Sequence, residues 1–95
     1  MRLRYSTPAL RDLANILSYV GAQALAYAEL CADHVESTVA RILEYPHLAQ
    51  LTNLRDVRRA LVRDFRLSIF YTIHSDELVI LHIRHTSQQP LHTKK

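Results

Sequence analysis

The chain has 95 residues, 48% of them apolar and 22% charged, and carries a formal net charge of +3. This is the mix of an ordinary globular domain. It excludes a disordered chain, and the length leaves room for one small domain, 1–95, with a thin core that gains from any partner burying more apolar surface. The charge is uneven: residues 1–54 hold four arginines against five acids, whereas residues 55–95 hold six arginines and two lysines against four acids.

The opening MRLRYSTPALRD has no apolar run before a small-residue cleavage site, so it does not read as a secretory signal, and no apolar run is long enough for a membrane span. A cytoplasmic protein without membrane contact is expected. Within that opening, residues 2–6 alternate polar and apolar and predict a short strand. Thr7-Pro8 predicts a helix start, with Thr7 as the cap and Pro8 at the first helical position. Leu10, Leu13, Ile16, Leu17 and Val20 continue at helical spacing. Gly21, the only glycine, is placed to end the helix in a left-handed turn.

A second helix is predicted over residues 22–44. Its apolar stripe reads Tyr27, Leu30, Cys31, Val35, Thr38, Val39 and Ile42, with Glu29, Asp33 and Glu36 off the stripe. Tyr45-Pro46 stops it, because the residue before proline is driven out of the helical region. Cys31 is the only cysteine, which rules out an internal disulfide and a thiolate zinc cluster and fits a reducing compartment. Residues 57–62, 65–73 and 77–84 then read as three strands joined by turns at 63–64 and 74–76. The tail from His85 to Lys95, with Pro90, should be irregular. The expected fold class is α+β in the order β-α-α-β-β-β, a helical hairpin packed on one face of a small antiparallel-rich sheet.

One glycine leaves no phosphate-cradling loop, and HExxH, CxxC and GxSxG motifs are absent. His82 and His85 are three apart on a strand and should face opposite sides, so no metal is expected. The informative feature is a basic cluster, Arg55, Arg58, Arg59, Arg63 and Arg66, with Arg84 and His85 close by if the strands pair in order. Such a cluster suits the grip of phosphates or carboxylates; its plainer reading is a row of strand-edge charges that discourage aggregation. On the last strand, His82 and Arg84 alternate onto one face with Leu78 and Ile80, leaving Val79, Leu81 and Ile83 opposite. The purely apolar face should lie under the helices and the mixed face should be open, as a peptide-binding groove requires.

YSTPALRDLANILSYV resembles the opening of the RelE/ParE toxins, matching at Tyr5, Ser6, Pro8, Ala9, Asp12, Leu13, Ile16 and Tyr19 with one extra residue before the proline. RRALVRDFRLSIFYTIHSDELVILHIRHTSQQP resembles the second half of that family at Arg59, Leu61, Ile69, Phe70, Tyr71, Leu78, Ile80, Leu81, His85 and Pro90, so the likeness spans residues 2–90. It implies the toxin of a type II toxin–antitoxin, plasmid-stabilising system. Such a toxin needs no cofactor, is neutralised by a cognate antitoxin with a disordered or helical tail, and meets DNA only through that antitoxin.

The family has a branch that inhibits DNA gyrase without catalysis and a branch that cuts mRNA on the ribosome. The nuclease branch uses basic residues on the second strand, an arginine on the third and another after the fourth. Arg59 serves for the second strand, but Ser68 stands at the third-strand position with Arg66 two residues away, and Gln88 stands at the last. The family's glycine after the helix-ending proline is also missing, since Pro46 is followed by His47-Leu48-Ala49. An incomplete cation set favours gyrase inhibition, with no catalytic residue assigned. Arg59, Arg63, Arg66, Arg84 and His85 are then the candidates for target binding, and Leu78, Ile80 and His82 for antitoxin binding. The alternatives are a ribosome-dependent mRNA endonuclease using Arg59, Arg66, Arg84 and His85, or a degenerate toxin that only binds its antitoxin.

Overall fold

The computed structural model describes residues 1–86; the expected irregular tail, with Gln88 and Pro90, lies outside them except for His85 and Thr86. The elements are β1 (Arg2–Tyr5), α1 (Thr7–Gly21), α2 (Leu25–Glu44), β2 (Gln50–Leu51), β3 (Val57–Val62), a 3₁₀ turn (Arg63–Phe65), β4 (Leu67–His74) and β5 (Glu77–His85). They form one sheet in the order β1-β5-β4-β3-β2, with β1 parallel to β5 and all other pairs antiparallel. Among the described residues no helix is long and apolar enough to cross a membrane.

The α+β class and the helical hairpin on one sheet face are as the patterning predicts. The buried cluster joins Ala9 of α1 and Cys31, Val35, Val39 and Ile42 of α2 to Val62, Leu67, Ile69, Tyr71, Leu78, Ile80 and Ile83 of the sheet. The α2 residues recur at spacings of four, four and three, the stripe of a helix resting on a surface.

Several boundaries differ, each for a local reason. Ser6, not Thr7, caps α1: its hydroxyl accepts from the Ala9 N–H at 3.1 Å and donates to the Leu81 carbonyl at 2.9 Å, so one side chain both caps the helix and fastens it to β5. Gly21 is the last helical residue and does not take a positive φ; the chain turns through Ala22, whose φ of −64° is ordinary, with its N–H bonded to the Ser18 carbonyl. That turn uses residues 22–24, so α2 starts at Leu25. The two-residue β2 adds an edge strand, pairing Gln50 with Arg59 and Leu51 with Arg58. Phe65 belongs to the 3₁₀ turn, and Arg66 at φ 54° turns the chain into β4.

The largest correction concerns β5. Its pairing with β4 runs Ile73–Leu78 and Tyr71–Ile80 and then shifts to Phe70–His82 and Ile69–Ile83, leaving Leu81 as the extra residue of a bulge. One extra residue inverts the alternation beyond it. Leu78, Ile80 and Ile83 therefore all lie in the core under the helices. Leu78 and Ile80 are 0% exposed, so the expectation that these two line an open, antitoxin-binding face is wrong. Val79, expected beneath the helices, alternates onto the other face.

A methyl group placed on Gly21 would stand 3.4 Å from Cβ of Ala28, an ordinary contact, and the backbone there is helical. Gly21→Ala should therefore stabilise the fold by about 0.4–1 kcal/mol through a less flexible unfolded chain. Thermal unfolding should show Tm raised by a few degrees; a fall in Tm would mean that this position needs glycine after all.

Candidate functional site

Strand register divides the expected cation patch into two groups. On the face turned away from the helices, two rows run across the sheet: Arg59 (β3), Phe70 (β4) and His82 (β5), then Leu61, Ser68 and Arg84. Arg59 is exposed and Leu61 is 52% exposed, while Ser68 and Phe70 are buried among their neighbours. Arg84 is partly buried, and its Nε is fully buried with no hydrogen-bond partner.

His82 is oriented by α1. The Asp12 carboxylate lies 3.0 Å from His82 Nδ1 and also accepts from the Ile83 N–H at 3.0 Å. A carboxylate can only accept, so Nδ1 carries the hydrogen and Nε2 is left for other partners. Of the three antitoxin candidates, His82 alone keeps partial exposure, but its ring is tied to α1.

The second group surrounds the β3–β4 connection. Arg63 and Arg66 are exposed in the turn, and the Arg66 carbonyl accepts from the Thr86 N–H at 2.7 Å, which brings the end of β5 against it. His85 pairs with Leu67 and so lies on the helix-side face, opposite in direction to Arg84. Here the sheet end, α1 and α2 enclose a groove of about 660 Å³, lined by Tyr19, Tyr27, Leu30, Phe65, Arg66 and His85 among others. The Phe65 ring meets Tyr27 edge-on at 5.9 Å and His34 at 5.3 Å, and His34 Nε2 lies 3.0 Å from the Asp64 carboxylate, joining α2 to the turn. Tyr27 and Leu30, read from sequence as core stripe, are instead exposed groove wall, and Tyr19 is 71% exposed. The Tyr27, Leu30 and His34 spacing of three and four was the available signal; nothing local distinguishes it from core.

Two cluster members serve the fold or stand apart. Arg58 points its Nη1 at the carbonyls of His47 (3.0 Å) and Ala49 (2.7 Å), holding the loop after α2, and Arg55 lies 4.0 Å from Asp56 in solvent. Tyr71 donates its hydroxyl to the Pro46 carbonyl at 2.7 Å, and burial raises its pKa. Burial likewise raises the Cys31 thiol, which makes it a poor nucleophile. No group of three or more metal-ligating side chains is assembled among the described residues.

A family model described as the ParE toxin of the type II toxin–antitoxin system parDE matches residues 3–90. No curated relative matches at the level of sequence. Among solved structures, the chromosomal ParDE system of P. aeruginosa superposes at a TM-score of 0.80 with 19% identity, over 90% of this chain and 95% of that one. The isolated E. coli RelE toxin gives 0.65 and 11% over 97% and 90% of the two chains, and the intact E. coli RelBE complex 0.63 and 13% over 87% and 93%. At such identities the likeness is one of fold.

The two neighbours Arg58 and Arg59 should behave differently. Arg58→Ala leaves two loop carbonyls without a charged donor and should cost about 2 kcal/mol, a Tm loss of roughly 8–16 °C. Arg59→Ala removes an exposed side chain and should change stability by no more than about 0.5 kcal/mol. Paired thermal melts decide this; equal losses would mean that Arg59 is also structural.

Proposed function

The chain belongs to the ParE toxin family of type II toxin–antitoxin systems, and from that premise we propose that it is a cytoplasmic toxin that inhibits DNA gyrase by binding, without catalysis of its own. The observation that carries this reading is the divergence of the cations. Arg59 and Arg84 lie on one sheet face, His85 is directed to the other, and Arg63 and Arg66 stand in the turn between β3 and β4. Ser68, at the third-strand position of the nuclease branch, is a buried neutral hydroxyl. Cleavage through 2′-OH attack needs a base, an acid and cations converging on one phosphate, and losing one charge-stabilising donor typically costs on the order of a hundredfold or more in rate. A binding toxin has no need of such convergence, and Arg59 on the sheet face with Arg63 and Arg66 at the turn gives it separate basic contacts.

The cognate antitoxin, in this reading, lays an amphipathic tail into the groove between the helical hairpin and the β3–β4 turn. Exposed Tyr19, Tyr27 and Leu30 offer it apolar anchors, and Arg66 and His85 stand beside them. The tail orders as it binds and stabilises the toxin by mass action. One feature favours the ribosome-dependent mRNA endonuclease as a second reading: His85 and Arg66 are brought together at the end of β5.

Changing Arg59, Arg63 and Arg66 together to alanine should abolish growth arrest with little loss of fold, since exposed arginines contribute little stability. Persistent arrest in that folded variant would reduce the patch to solvated edge charge. The target is decided by a gyrase supercoiling assay beside a toeprint on ribosome-bound mRNA. Inhibited supercoiling with uncut mRNA is expected, and A-site cuts with untouched gyrase would reverse the assignment.

A further inference from the structure

A half-buried guanidinium that meets no acceptor among the described residues is open to an anionic ligand at its exposed end. Arginine stays charged inside a protein, and an unsatisfied charged donor costs more than a neutral one. The Arg84 side chain makes no hydrogen bond or ion pair among the described residues, and its Nε is buried. Its surroundings are mixed. Ser68, with a small neutral side chain, lies directly across β4, and exposed Leu61 follows on β3. His82 stands two residues back on the same face, about 7 Å along the strand, held by Asp12 at 3.0 Å. Arg59 lies diagonally across β4 from Arg84 and is the nearest second cation by strand register.

We propose that Arg84 is a socket for one carboxylate, that of an aspartate or glutamate carried among apolar residues on a protein partner that crosses the sheet face opposite the helices. The Nε is closed to solvent, so it is the two Nη groups, at the open end of the guanidinium, that form the fork taking both oxygens of a carboxylate. A nucleic-acid backbone is the poorer fit: a phosphate track is met by several exposed, flexible cations, whereas the fork here is partly buried beside Phe70 and Leu61. Arginine is one of the three residue types enriched at protein–protein hot spots, where it is desolvated within a well-packed surround. His82, with Nδ1 committed to Asp12, turns Nε2 to the same partner.

The inference rests on the toxin reading only in supposing a protein partner. Its test uses the full chain alone with acetate and inorganic phosphate as probes. Failure here therefore leaves the toxin reading intact, and a failed gyrase assay leaves the socket intact. Arginine Nε–Hε, histidine ring and backbone amide resonances are followed by NMR while acetate replaces chloride at constant ionic strength, then again with phosphate. Acetate should move the Arg84 Hε signal saturably and several-fold further than the signals of exposed Arg55 and Arg63. In Arg84→Lys, which keeps the charge but not the fork, the accompanying response at Ser68 and His82 should vanish. A response at Arg84 no larger than at Arg55, or one at Ser68 that survives Arg84→Lys, overturns the socket. A stronger response to phosphate than to acetate overturns the carboxylate assignment and gives the site to nucleic acid.

Discussion

The fold depends on how α1 is fastened to the edge of β5. β1 pairs with β5 only as far as Ile80, and beyond that point the outer edge of a central strand would be bare backbone. Two side chains from the start of α1 take over. Ser6 donates to the Leu81 carbonyl, and Asp12 accepts the Ile83 N–H. An unmet N–H of this kind costs about 1–3 kcal/mol, a sizeable share of the 5–15 kcal/mol that holds a typical domain together. The first of these contacts is made to Leu81 itself, the bulged residue, and the second lies two residues beyond it; the bulge sets the phase of everything after it. Because of that phase, Ile83 faces the core while His82 and Arg84 face the opposite surface.

Much of this architecture is legible in the sequence, and the exceptions share a cause. Helices announce themselves through repeats of three and four, and the Val35, Val39 and Ile42 stripe lies where the periodicity puts it. Leu78, Val79, Ile80 and Leu81 form a continuous apolar run, which carries no phase information because either alternation buries a good hydrophobe. The bulge coincides with the contacts that Ser6 and Asp12, some seventy residues earlier, make to β5, and no local pattern reports it. Gln50–Leu51 is too short to alternate. Arg58 reads as one more surface cation because only the folded loop brings the His47 and Ala49 carbonyls to its guanidinium.

A chain with one glycine must make its sharp turns with other residues. Asp56, Arg66 and Ser75 all take positive φ, at 59°, 54° and 56°. Aspartate is among the short polar residues that tolerate this region, whereas arginine is not. At Arg66 the strain is borne by the contacts around it: its N–H bonds to the Arg63 carbonyl and its own carbonyl takes the Thr86 N–H. Over-determination of this kind concentrates where a surface must hold one shape, and Arg66 lies on the rim of the groove.

The sheet order also has a consequence for synthesis. β5 lies between β1 and β4 and receives contacts from both helices' core cluster, yet it is the last element of the described chain to leave the ribosome. Until residues 77–85 emerge, β1 has no neighbour and the α1 start has nothing to hold. Closure of the sheet at β1 joins residues about 75 positions apart, so this pairing waits for nearly the whole described chain. A nascent chain cut short before β5 therefore has β2, β3 and β4 but lacks the strand that ties β1 and α1 to them, and the sheet face carrying His82 and Arg84 is the last to be completed.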